Sequence, residues 1–181
     1  MKDLAVGDGE IHVRDVRMCL FDVANGFLTL RRSVENALGE VSAVLLYNAG
    51  FASFRGDVSA ASADVDAVTG EAAFRASIAS YRAAGFGGFE VVDFDAAAGR
   101  ARVQCAAPVA FEAYAVVRRR EGELKPVCDY SRGALAGLFA AATGRADRLC
   151  IETECVAKGD ARCLFEIGDE KALTARLLRG P

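Results

Sequence analysis

Long apolar runs are missing from this chain of 181 residues. Stretches such as AVLLY, Ala43 to Tyr47, fall far short of the roughly 20 residues that a membrane-spanning helix needs. There is no basic-then-apolar leader, because Lys2 and Asp3 open into a mixed polar stretch. The expected location is the cytoplasm. Positive charge is not in excess either: the formal net charge is -3, which argues against a nonspecific grip on nucleic acid. The one basic run, Arg118-Arg119-Arg120, is followed by Glu121 and Glu123 and reads as a solvated turn. No G-x-x-x-x-G-K-S/T loop, no recognisable DNA-binding helix pair and no nicotinamide or flavin fingerprint is present. Gly85, Gly87 and Gly88 have the wrong spacing for a phosphate cradle and no helix follows, so they read as a turn.

What is present suffices for a full core: 52% of the residues are apolar. Glu10 to Val23 has strand character near its start and its end. Phe27 to Leu38 reads as a helix with Leu28, Arg31, Arg32 and Glu35 dividing an apolar from a charged face, stopped by Gly39. Val41 to Phe54 reads as a second, more buried helix, in which Gly50 is a weakness unless something packs closely there. Arg55 to Val68, rich in Ser, Ala, Asp and Gly, is the best loop and a candidate lid or hinge. Glu71 to Ala84 is helical, and a hairpin follows in FEVVDFD and RARVQCA. Ser131 to Ala142 is a small-residue helix whose Gly133 and Gly137 permit close packing. Arg148 to Val156 and Arg162 to Ile167 form a second hairpin around Lys158-Gly159-Asp160, and Lys171 to Arg179 a helical tail. This order predicts an α+β fold, a mainly antiparallel sheet covered by helices, in one domain of residues 1–181.

Four of the six cysteines fall in the last third of the chain, which in a reducing compartment points to metal before disulfide. Cys19 and Cys105 sit in apolar segments and read as buried small hydrophobes. Cys128, Glu152, Cys155 and Cys163 could close on one ion: zinc favours thiolate, accepts a carboxylate and is tetrahedral in structural sites. Cys155 and Cys163 face each other across the hairpin neck, and Cys128 enters from the start of a helix, where thiolate is stabilised. In a regular strand, residues three apart point to opposite faces. Glu152 and Cys155 therefore share an ion only if the strand bulges or ends between them. Cys150 has the parity of Glu152 and is a rival fourth ligand. Spacing alone fits a metal site and a set of unrelated buried cysteines equally well.

PVC, a Gly-x-x-x-Gly helix, Glu-x-x-Cys, Gly-Asp and a final Cys, spread over Pro126 to Cys163, resemble the 4-vinyl reductase domain, a small-molecule-binding domain. GEIHVRDVRMCLF, LRRSVENALG and LLYNAGFASFRG are similar to the sensor half of aromatic-responsive bacterial transcriptional activators. The resemblance runs from about Gly9 to Ile167. It implies a structural zinc on Cys128, Glu152, Cys155 and Cys163, with Glu152 favoured over Cys150. It also implies a homodimer, with residues 9–95 as the dimerisation-prone half, 96–167 as the 4-vinyl reductase-like region and 168–181 as the tail. Two departures matter. Where phenol sensors of this family place a His, this chain has Tyr81. Where they place a Trp ahead of the FEA motif (Phe111 to Ala113 here), this chain has the neighbourhood of Ala107. It has no Trp at all, and its one His is His12, read as a surface strand residue. The exchange predicts a larger cavity, a different or larger apolar ligand, and Tyr81 as its hydrogen-bond donor.

The expected pocket is concave, apolar and lined by Phe74, Ile78, Tyr81, Phe86, Phe89, Val103, Cys105, Phe111, Tyr130, Leu135 and Phe139. For any one of these, plain core packing accounts equally well for its type. Asp93 and Asp95 near Arg100 and Arg102 read as a solvated hairpin face, not as an acid/base pair. The function these readings favour is a non-catalytic sensor or carrier of a small hydrophobic, aromatic molecule, acting on a regulatory protein partner. The alternative is an accessory protein or reductase in vinyl-group reduction of a tetrapyrrole. A third is a dimerisation module with no ligand.

Overall fold

The computed structural model describes residues 4–7, 10–13, 16–18, 21–55, 69–120 and 125–179. Strands β1 (Leu4–Gly7), β2 (Glu10–Val13) and β3 (Val16–Met18) form an antiparallel sheet in that order. A π-helical turn, Val23–Phe27, follows; Asp22 caps it by accepting from the Asn25 N–H at 2.9 Å. The strand expected at the end of Glu10 to Val23 is thus not there: pairing ends with β3, and Asp22 draws the next residues into a turn. The Arg55 to Val68 loop, the Gly122-Glu123 turn and Cys19 lie outside the described residues, apart from Arg55 itself.

Helices α1 (Leu28–Leu38), α2 (Val41–Arg55) and α3 (Glu71–Ala83) come next. The main sheet is built from β4 (Phe89–Asp95), β5 (Arg100–Cys105), β6 (Leu149–Glu154) and β7 (Cys163–Gly168), all antiparallel in the order β4-β5-β7-β6. Helix α4 (Phe111–Arg118) joins its two hairpins, α5 (Asp129–Thr143) lies buried along most of its length, and α6 (Glu170–Arg179) closes the chain. The α+β class with an antiparallel sheet flanked by helices is as expected; α4 is not. Its sequence, FEAYAVVR, is aromatic and β-branched enough to hide a two-turn helix.

The core follows from the pleat. Ala101, Val103 and Cys105 of β5 and Cys163, Phe165 and Ile167 of β7 are buried, as side chains two apart share a face. They pack towards α3 and α5. Helix α5 meets α2 backbone to backbone. A Cβ on Gly133 would stand 1.9 Å from the Tyr47 carbonyl oxygen, one on Gly50 2.1 Å from that of Tyr130, and one on Gly137 2.6 Å from that of Phe51. Gly50, a weakness in an isolated helix, is what lets α5 approach. Gly144 ends α5 with φ 73°, the left-handed residue that a helix stop favours.

Two expectations about the first helices need correction. Arg31, assigned to a charged outer face, is only 2% exposed. Helix α2 is not the more buried one: Ser42 and Gly50 are its buried residues, while Val41, Val44 and Leu45 are exposed. Small residues bring its inner side so close to α5 that its large apolar side chains are turned outwards.

Candidate metal centre and aromatic cluster

Cys128 is the N-cap of α5, Glu152 lies on β6, Cys155 directly follows β6, and Cys163 is the first residue of β7. All four are buried, and one donor atom from each lies within 4.8 Å of the others. The strand does what the parity problem demanded. The β6–β7 register shifts between Glu152 and Glu154, and β6 then stops before Cys155. Cys150 stays outside the group; its N–H donates to the Tyr47 hydroxyl at 3.2 Å.

The donors fit a tetrahedral ion. The Sγ atoms of Cys128 and Cys163 are 3.9 Å apart. Two thiolates on one zinc, each at about 2.3 Å, stand roughly 3.8 Å apart. Glu152 Oε2 accepts the Cys128 N–H at 3.0 Å, while its buried Oε1 has no hydrogen-bond partner. An unsatisfied buried carboxylate oxygen costs about 1–3 kcal/mol or more, which a bound cation removes. The surroundings hold the ligands in place. Asp160 accepts the Cys155 N–H at 2.7 Å across a turn with Gly159 at φ 103°, and the Val156 N–H reaches Cys163 Sγ at 3.5 Å.

Protonation of the cluster is strongly coupled. Burial first, then the charge on Cys155, pushes the Glu152 carboxyl up to about 9. Burial also raises the Cys128 thiol. Cys155 goes the other way, because the thiols of Cys128 and Cys163 hydrogen-bond to it. One negative charge already concentrates at the centre of the group. A divalent cation would draw the remaining protons off, since thiolate is the ligand form.

The eleven expected pocket residues are brought into one region, packed ring on ring. Tyr81 of α3 stacks on Phe86 at 4.2 Å between centroids and meets Phe89 at 5.0 Å. Phe86 contacts Phe111 at 5.5 Å and lies nearly parallel to Tyr130 at 6.4 Å. Phe74 and Phe139 pair at 5.6 Å on the far side. Ile78, Val103, Cys105 and Leu135 are buried among them. Phe86, Phe111 and Tyr130 are half-buried, so the cluster reaches the surface through them. Sequence reasoning left out Phe54, whose ring stands edge-on to Tyr81 at 5.0 Å and Phe86 at 5.6 Å. It sits on the helical stripe of α2, which was its signal. The expectation at Ala107 is corrected: this residue is exposed, so its small side chain enlarges nothing inside.

A buried polar network, also missed, joins the cluster to the metal ligands. Glu112, in the FEA motif, is 1% exposed and accepts the N–H groups of Tyr130 at 2.9 Å and Ser131 at 2.8 Å, in the first turn of α5. Burial lifts its carboxyl to about 7 against those hydrogen bonds. Arg31 of α1 donates to the Val127 carbonyl oxygen, to Glu35 at 2.7 Å and lies 3.6 Å from Asp129. The Val127 carbonyl is one residue from Cys128.

Comparison with known proteins accords with this geometry. The vinyl-4-reductase domain matches residues 108–169, a stretch that contains all four candidate metal ligands. The phenol-responsive sensory domain of the transcription activator PoxR, solved with phenol, superimposes with a TM-score of 0.81 at 22% identity, covering 99% of this chain and 93% of that one. A vinyl-4-reductase family protein from Methanocaldococcus jannaschii gives a TM-score of 0.47 at 16% identity over 78% of this chain and 74% of its own, too distant to weigh. Among curated proteins none matches significantly. Over residues 108–169 the chain belongs to the vinyl-4-reductase domain family, and nearly its whole length has the fold of a phenol-responsive sensory domain.

Proposed function

We propose that this protein is a non-catalytic sensor or carrier of a small hydrophobic, aromatic molecule, with a structural zinc on Cys128, Glu152, Cys155 and Cys163. The carrying observation is the placing of that donor set at the N-terminus of α5, whose next residues, Tyr130 and Ser131, touch the aromatic cluster. Zinc there fixes the helix end against which a guest ring is read. A guest displaces ring–ring contacts among Phe54, Phe86, Phe111 and Tyr130, the half-buried members. Three thiolates and a carboxylate complete a tetrahedral shell, which leaves the ion no position for substrate. That favours a sensor or carrier over a reductase. A ligand alters a regulatory partner only as far as it binds two states with different affinity.

Pairing of two copies through residues 9–95 is part of this reading. The outward Val41, Val44 and Leu45 of α2 and Leu30 and Leu38 of α1 form an apolar face suited to a second copy. Isothermal titration of the zinc-loaded protein with simple aromatics and fatty acids tests the ligand. Saturable binding of an aromatic is expected; no binding across the panel by folded protein contradicts the proposal.

A further inference from the structure

We propose that Glu112 and Ser131 turn the Tyr81 hydroxyl into an acceptor towards the aromatic cluster, so that the site selects ring compounds carrying a hydrogen-bond donor. The inference rests on the ligand reading above and reverses the donor role expected of Tyr81 from sequence.

The direction follows from counting protons. Glu112, Ser131 and Tyr81 are 1%, 0% and 2% exposed, so water does not supply partners. The two carboxylate oxygens of Glu112 accept the backbone N–H groups of Tyr130 and Ser131. The Ser131 hydroxyl also hydrogen-bonds to this carboxylate. A serine hydroxyl has one proton. Given to Glu112, it leaves Ser131 Oγ only lone pairs for Tyr81, whose hydroxyl stands 3.4 Å away. Tyr81 therefore donates to Ser131 and spends its own single proton. What its oxygen then offers beside Phe54, Phe86 and Phe89 is a lone pair. A guest O–H or N–H meets an acceptor there. An ether or carbonyl oxygen meets another acceptor, and both stay unsatisfied in a dry site. Glu112 and Ser131 are positioning residues in this arrangement, acting through Tyr81.

The test is titration of the zinc-loaded full chain with two pairs of probes, phenol against anisole and 2-naphthol against 2-methoxynaphthalene. Each pair keeps the ring and replaces the donor by a methyl ether. The wild type is expected to bind the hydroxyl member on the order of ten-fold more tightly in at least one pair. Tyr81→Phe should bring the ratio to within about two-fold, since the lone pair is gone. Ser131→Ala should reverse it towards the ether, because the Tyr81 proton, having lost its acceptor, turns to the guest. A merely structural role would weaken both members alike and leave the ratio unchanged. Equal binding within both pairs by the wild type overturns the inference and leaves the ligand reading standing. An undiminished preference in Tyr81→Phe also overturns it. If none of the four probes binds, the ligand reading falls and takes the inference with it.

Discussion

Four side chains bear most of the weight: Cys128, Glu152, Cys155 and Cys163. Replacing Cys155 or Cys163 by Ser should abolish metal retention and lower the melting temperature steeply, because the binding energy of a structural ion is also folding energy. Elemental analysis beside thermal denaturation checks this; wild-type stability in a metal-free variant contradicts it. These residues were legible because thiols and a carboxylate at close spacing carry chemistry in their type. The rest of the site was not. Arg31 reaches the Val127 carbonyl across 96 positions and Glu112 caps residues 18 and 19 positions on, separations that no local pattern reports. Glu112 also makes stability depend on pH. Its folded carboxyl, at about 7, lies above its ordinary value of 4.5, so the folded state holds the proton more tightly. Its contribution is fully present below about 4.5 and is lost as pH rises through about 7, on the order of 3 kcal/mol in all. Glu112→Gln should flatten that part of the stability–pH profile in chemical denaturation; an unchanged slope contradicts the assignment.

Among the elements, the α2–α5 contact decides the shape of the middle of the fold. Gly133→Ala would put a methyl group 1.9 Å from the Tyr47 carbonyl, against backbone that cannot turn aside. A loss of about 3 kcal/mol or more is expected in denaturant unfolding. Gly144→Ala meets no neighbour and strains only a left-handed φ of 73°, so about 1 kcal/mol is expected there. Equal losses at the two positions would deny the close helix contact. Both hairpins and the long helices could be read from periodicity and turn residues. Helix α4 could not, since its β-branched and aromatic residues hide a helix whose reason to form is tertiary: it carries Glu112 to the start of α5. The bulge in β6 was legible only as a condition, once Glu152 and Cys155 were asked to meet.

As a whole, the molecule joins a metal-braced sheet and helix on one side to an apolar two-helix face on the other, with aromatic rings between. That face predicts a dimer in solution. Leu45→Glu on the outer side of α2 should shift the protein to a monomer in light scattering without lowering its melting temperature, because Leu45 is 46% exposed. A wild-type monomer at micromolar concentration contradicts the pairing. The arrangement of donors, cluster and polar network depends on one divalent ion held by three sulfurs and a carboxylate. Native mass spectrometry of the purified full chain, with elemental analysis, reports it. One zinc per chain, lost together with the cooperative fold in Cys163→Ser, is the predicted result. A metal-free chain that folds cooperatively and is unaffected by chelator would contradict it.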